Sequence, residues 1–180
     1  HVTTWITRQM ARMIQRRDPT RPAFWYLSYT HPHPPLAPLQ VYLDMYREIT
    51  PEPPYRGNWP SDPEQMPARM NRGLIDSRGY DAHLIREARR AFYALCTHID
   101  HQLRVVLGTL REEGLLDRTI ILFLADHGDM LGNHGLWAKR LYYEDSACVP
   151  MILRGLPGDA RSTGGRTDNR LVGLQDVMPT

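Results

Sequence analysis

Residues 91–128, AFYALCTHIDHQLRVVLGTLREEGLLDRTIILFLADHG, decide the fold. The first part continues a pattern that opens near residue 81. Leu84, Ala88, Phe92, Leu95, Ile99, Leu103, Val106 and Leu110 recur every three or four positions and form one apolar stripe on a helix face. Gly114 stands where a left-handed residue ends such a helix, so the spacing predicts a helix over 81–113. Then the period changes. RTIILFLAD, residues 118–126, is apolar almost without interruption, as in a strand covered on both faces. A long helix feeding such a strand is most simply the crossover of a parallel sheet.

Outward from there, TWITRQMARMIQRR (4–17) carries Ile6, Met10, Met13 and Ile14 at helical spacing. AFWYLSY (23–29) follows Pro22 and reads as a buried strand, closed off by the prolines of THPHPPLAP (30–38). A short helical piece is expected over Val41 to Tyr46. Residues 50–80 are rich in Pro, Gly, Asn and Asp and read as a long irregular loop insertion. CVPMILRG (148–155) supplies another apolar strand, and GLQDVMPT (173–180) opens a last helix with Asp176 as its N-terminal cap or dipole partner. The order predicts an α/β fold: helices on both sides of a mostly parallel central sheet.

The bulk properties exclude several classes. The chain has 180 residues, 42% hydrophobic and 23% charged, with a net charge of +2, which is ordinary globular composition. Lys and Arg are scattered, so no nucleic-acid surface is indicated, and no apolar run approaches a membrane span. The first residues, HVTTWITRQM, lack the apolar core of a secretory signal. Cys96 and Cys148 are too few for a disulfide framework and read as two buried thiols.

In open α/β sheets, ligands bind beyond the carboxyl ends of strands. One strand delivers His31 and His33 to that position, the other Asp126 and His127. Asp126 and His127 pair an anionic with a neutral ligand, which suits a divalent cation. Gly128 and Gly132 let the loop fold back so that Asp129, His134 and Lys139 come near. Metal, imidazole and ammonium together suit a tetrahedral oxyanion. By spacing alone, an Asp-His pair at a strand end is equally a cap or a loop hydrogen-bond pair. His98 and His101, one turn apart on the long helix, read as polar residues beside the apolar stripe rather than as a metal pair.

Four blocks in order carry a resemblance: PAFWYLSYTHPHPPLAP, the stretch from AFYALC to LADHG, ADHGDMLGNHGLWAK with YYEDSACVPMILRG, and LVGLQDVMPT. Together they resemble the sulfatase family of the alkaline phosphatase superfamily. The resemblance implies a three-layer αβα fold, alkaline-phosphatase-like and here truncated, with residues 1–180 as part of a catalytic domain. It places Asp126 and His127 at the family's second pair of metal ligands. Many sulfatases carry Asn at the second of these; His resembles the branch of choline sulfatases and phosphonate monoester hydrolases. Lys139 matches the lysine that contacts the sulfate, and His33 the histidine at the ester oxygen. Asp129, His134 and His31 are assigned to ordering the loops rather than contacting metal or substrate.

The same resemblance implies a formylglycine nucleophile, made from Cys or Ser in a C/S-x-P-x-R motif, whose hydrate attacks sulfur. That motif and its companion aspartates are absent from these residues. Cys148 begins C-x-P, but Ile152 stands where the Arg should be. The expectation is therefore a piece of a metal-dependent sulfuric ester hydrolase, inactive alone, with its nucleophile elsewhere. Ca²⁺ is the first candidate metal, Mg²⁺ and Mn²⁺ the alternatives. The expected substrate is a small sulfate ester, with no nucleic-acid or membrane partner. Two rival readings are a phosphonate monoester or phosphodiester hydrolase and a degenerate binding module. Truncation should also leave an open sheet edge and promote self-association.

Overall fold

The structure is a computed structural model that describes residues 1–57, 75–76, 79–159 and 164–178. Much of the loop expected over 50–80 lies outside the described residues. Two compact units are present, His1–Tyr55 with Ser77–Asp117, and Arg56–Asp76 with Arg118–Thr180.

The first unit is helical. Helix α1 (Val2–Gln15) and helix α2 (Gln40–Asp44) both pack on the long helix α3 (Ala82–Glu112). Asp81 caps α3 by accepting from the His83 N–H at 2.8 Å, and Gly114 takes the predicted left-handed conformation at φ +66° just past its end. The Arg17 guanidinium and the Glu113 carboxylate, 3.1 Å apart, tie the ends of α1 and α3.

The buried faces differ from the expected stripes. On α1 they are Thr3, Thr7, Met10 and Ile14, while Met13 is exposed. On α3 the face runs through Ile85, Arg89, Ala94, Leu95, His98, Val106 and Leu110, and Leu84 points outward. A stripe wider than one row of apolar residues leaves the helix free to rotate. Here Thr3 and Thr7 settle the choice for α1, because their hydroxyls have partners: His31 Nδ1 at 2.7 Å and the Tyr29 hydroxyl at 2.8 Å. Full burial of Ile14 and Leu95 contributes roughly 1.5–3 kcal/mol each.

Residues 23–29 are not the buried strand expected. They have no ladder partner among the described residues, and the segment alternates: Trp25, Leu27 and Tyr29 are half-buried, whereas Phe24 is 90% and Tyr26 80% exposed. The period of two survives without a neighbouring strand to bond it.

In the second unit, strand β1 (Ile75–Asp76) pairs with β3 (Leu136–Trp137), and β2 (Ile121–Leu124) pairs with β4 (Met151–Arg154). Both pairings are antiparallel, with Ile121 against Arg154 and Leu124 against Met151, so these two pairs are not the parallel ladders expected to dominate the sheet. The connection between β2 and β4 folds back through a loop and the single-turn helix α4 (Glu144–Ala147) rather than through a long crossover helix. Met130, Leu136 and Leu141 form the small core of this unit, with Tyr143 packed against it. The last predicted helix is one 3₁₀ turn, Leu174–Asp176, with the Asp176 carboxylate accepting from the Gly173 N–H at 2.8 Å, the capping role expected. Both cysteines are exposed, correcting the buried reading: Cys96 follows buried Leu95 onto the outer side of α3, and Cys148 precedes β4.

Candidate active-site loop and histidine segment

The end of β2 runs straight into Asp126 and His127. The Asp126 side chain is 87% exposed, and its Oδ1 accepts the His127 N–H at 3.1 Å. His127 Nδ1 lies 2.7 Å from the Gly128 carbonyl oxygen. A carbonyl only accepts, so Nδ1 carries the proton and donates. In the neutral ring this makes Nε2 the nitrogen able to ligate. Nε2 is 3.5 Å from Asp126 Oδ2. Two electron-pair donors held that close suit a cation between them, and a ligating histidine typically donates its other N–H to a carbonyl in this way. The chemistry of the two donors fits a divalent metal. Among the described residues, however, no three His, Cys, Asp or Glu side chains gather tightly enough to hold one by themselves.

The loop beyond them is tightly bonded. Gly128 donates its N–H to the Ser146 carbonyl at 2.9 Å, and a side chain at 128 would strike the Asp145 carbonyl. Asp129 Oδ1 accepts the N–H groups of Leu131 at 3.0 Å and Ala138 at 3.2 Å. Asn133 Nδ2 donates to Asp145 Oδ1 at 3.0 Å. His134, at φ +55°, stacks on Tyr143 with ring centroids 4.7 Å apart. Burial raises the Tyr143 hydroxyl pKa above its ordinary value. Lys139 follows Ala138 and is half-buried. Asp129 and His134 thus both make contacts within the loop and its neighbour Tyr143.

His31 and His33 belong to the other unit. His33 is exposed, and its Nδ1 donates to the Pro34 carbonyl at 2.8 Å. The peptide bonds His31–Pro32 and Pro34–Pro35 are cis. His31 differs in kind: half-buried, bonded to Thr3, its ring 4.8 Å from that of His1, with desolvation holding its pKa below the usual imidazole value. It supports rather than presents. So Asp126, His127, Asp129, His134 and Lys139 share one unit, while His31 and His33 share the other.

Sequence reasoning missed three features. Asp145 and Asn133 brace the loop, although their spacing carries no motif. His98 is buried, with Nε2 3.3 Å from Thr4 Oγ1, its ring stacked on Tyr42, and no partner for Nδ1. Four arginines, Arg12, Arg16, Arg17 and Arg21, line a cavity of about 580 Å³ with Trp25 at the carboxyl end of α1. Cations there complement the helix dipole. Among the described residues no helix is long and apolar enough to cross a membrane.

The sulfatase family model matches residues 3–180. The arylsulfatase of Clostridium perfringens is 35% identical over 184 residues, covering 100% of this chain and 37% of that protein. The choline-sulfatase of Rhizobium meliloti is 35% identical over 162 residues, covering 89% of this chain and 31% of that one. The crystal structure of the phosphonate monoester hydrolase of Agrobacterium radiobacter superposes with a TM-score of 0.74 at 22% identity, over 84% of this chain and 32% of that one. That likeness establishes the α/β, alkaline-phosphatase-like fold. The chain spans about a third of the length of the curated relatives it matches.

Proposed function

The chain belongs to the sulfatase family, and from that premise we propose that it forms one wall of a metal-dependent sulfuric ester hydrolase site. The observation that carries the reading is the setting of the His127 ring between the Gly128 carbonyl and the Asp126 carboxylate. The ring's Nδ1–H is committed to the Gly128 carbonyl, which turns Nε2 toward Asp126 Oδ2 at 3.5 Å. Asp126 and His127 would hold a divalent metal, Ca²⁺ first and Mg²⁺ or Mn²⁺ next, together with ligands outside this chain. When bound, that metal polarises the sulfate oxygens and offsets their charge.

The chain's own residues take the remaining parts. Lys139 carries a compact positive charge at the end of a braced loop and binds a sulfate oxygen. On the family's pattern His33 is the histidine at the ester oxygen. Its Nδ1–H is held by the Pro34 carbonyl, so in the imidazolium form, protonated on both nitrogens, it can give up the Nε2 proton to the leaving oxygen as the bond to sulfur breaks. The nucleophile, a formylglycine on the family's pattern, lies outside these residues. Small sulfate esters are the substrate class.

One observation favours a second reading. The fold superposes well on a phosphonate monoester hydrolase, and sulfate monoesters and phosphate diesters or phosphonate monoesters are all tetrahedral monoanions suited to the same cations. The test uses the longer protein that contains this chain, with 4-nitrophenyl sulfate and a phosphonate monoester run side by side. Faster sulfate hydrolysis, with His127→Ala lowering kcat about 10²–10³-fold, supports the sulfatase reading. Preference for the phosphonate supports the alternative. Unchanged rates in both Asp126→Ala and His127→Ala defeat the site assignment.

A further inference from the structure

Lys139 is flanked by unusual backbone. Within ten residues, four that are not glycine have positive φ: Leu131 at 47°, His134 at 55°, Ala138 at 70° and Arg140 at 87°. L-residues avoid this region because Cβ crowds the following carbonyl, so something must hold each one. For Ala138, immediately before Lys139, the holding groups are visible. Its N–H donates to Asp129 Oδ1 at 3.2 Å, and its carbonyl accepts from the Met130 N–H at 2.9 Å. The same Asp129 oxygen accepts the Leu131 N–H at 3.0 Å. One carboxylate oxygen thus fastens both ends of the loop and fixes the peptide that launches Lys139.

We propose that Asp129 is a positioning residue that sets the direction of Lys139 by clamping Ala138 in its left-handed conformation. The inference rests on the reading of Lys139 as the sulfate contact only for its consequence in binding; the clamp itself stands on the bonds above. Bonds to a charged acceptor are the stronger kind, and two converge on one atom. A carboxylate is not required for this. An Asn at 129 keeps a side-chain oxygen at the same place and can accept both N–H groups, whereas Ala cannot.

The sequence provides its own reporter. Of the 22 Lys and Arg residues, Lys139 is the single lysine. Reductive ¹³C-dimethylation of the chain therefore gives one side-chain signal, distinct from that of the α-amine, and keeps the positive charge. The expected result is a dispersed Lys139 resonance that moves on addition of inorganic sulfate. Asp129→Ala should collapse that resonance toward the free-lysine position, weaken the sulfate response about tenfold and speed hydrogen exchange of the Ala138 amide about 10- to 100-fold. Asp129→Asn should stay within about twofold of the parent on all three. Glycine adopts positive φ without strain, so Ala138→Gly added to Asp129→Ala should recover part of the loss.

A parent-like resonance and sulfate response in Asp129→Ala overturns the proposal. So does an Asp129→Asn variant that behaves like Asp129→Ala, and this second arm decides the matter if the alanine variant fails to fold. If the parent chain ignores sulfate, the groups outside this chain are needed for sulfate binding and the sulfate arm is run in the longer protein. Resonance dispersion and Ala138 exchange then still judge the clamp.

Discussion

Replacing Gly128 by alanine tests the architecture of the loop at its tightest point. Gly128 follows His127 directly, and its N–H bonds the Ser146 carbonyl at 2.9 Å. A Cβ built at 128 falls on the Asp145 carbonyl oxygen, with the Asp145 carbonyl carbon at 3.0 Å and the Cys148 carbonyl oxygen at 3.5 Å. All three are backbone atoms of the α4 segment, so no side chain can swing away to relieve the clash. Helix α4 must shift, which carries an overpacking cost of about 1–3 kcal/mol. The Gly128–Ser146 bond is stretched at the same time, adding about 0.5–1.5 kcal/mol. Together the second unit should lose about 2–4 kcal/mol. Gly108, inside α3, is the matched control: no atom lies within 4 Å of a Cβ there, and the helix should gain about 0.5–1 kcal/mol from Gly108→Ala. The assay is urea unfolding followed by ¹⁹F NMR of 5-fluorotryptophan in a Trp59→Phe background, which leaves three of the four tryptophans, so that buried Trp137 reports the second unit separately from Trp5 and Trp25. A loss below about 0.5 kcal/mol for Gly128→Ala, inside the range of ordinary surface substitutions, would refute the close approach of Gly128 to Asp145.

Three other outcomes follow from the first unit and from the thiols. Thr7 is buried, and its hydroxyl bonds the Thr3 carbonyl at 3.0 Å and the Tyr29 hydroxyl at 2.8 Å; Thr7→Val should cost about 1–2 kcal/mol, read from the Trp25 signal in the same unfolding series. His31 and His98 both have folded pKa values below the usual 6.5, because of desolvation and, for His98, repulsion from His31 and His101. As pH falls below 6.5 the unfolded chain takes up protons first, so stability of this unit should decline on acidification until the folded pKa values are passed, and be flat above neutrality. His98→Gln should flatten that slope, and an unchanged slope would contradict the assignment. Native protein treated with Ellman's reagent should label Cys148 first. Desolvation pushes the Cys96 thiol up to about 11, so it carries little thiolate and should react more slowly although exposed, and equal rates for the two would contradict that shift.

Much of the local structure was legible because it depends on near neighbours in the chain. Asp81 and Gly114 bracket α3 through contacts within a few residues, and Asp176 caps its own turn. The long apolar stripe of α3 gave its existence but not its rotation: Leu84 faces out and His98 faces in. Which side is buried depends on α1, whose Thr3 and Thr7 look like surface residues until His31 and Tyr29 are brought to them from 28 and 22 positions away. The strand over 23–29 was misread for a related reason. Its alternation is real, but a strand exists only with a partner. β2 and β4 were located correctly, but that they pair with each other, and antiparallel, was not legible, since an apolar run carries no record of which neighbour it will bond.

At the candidate site the division is similar. The sequence by itself determined the chemistry available: a carboxylate and an imidazole at a strand end, glycines after them, and one ammonium at the far side of the loop. Those types follow from residue identity and spacing, which no folding step alters. Only the tertiary structure decided how they are used. The proton on His127 is assigned by where the Gly128 carbonyl falls, and the setting of Lys139 by an Asp129 oxygen nine residues before Ala138. Both depend on directed bonds that are short in sequence, one to the next residue and one across nine, but whose geometry is set by the backbone conformation of the folded loop, and direction in space is what a linear pattern of residue types does not contain.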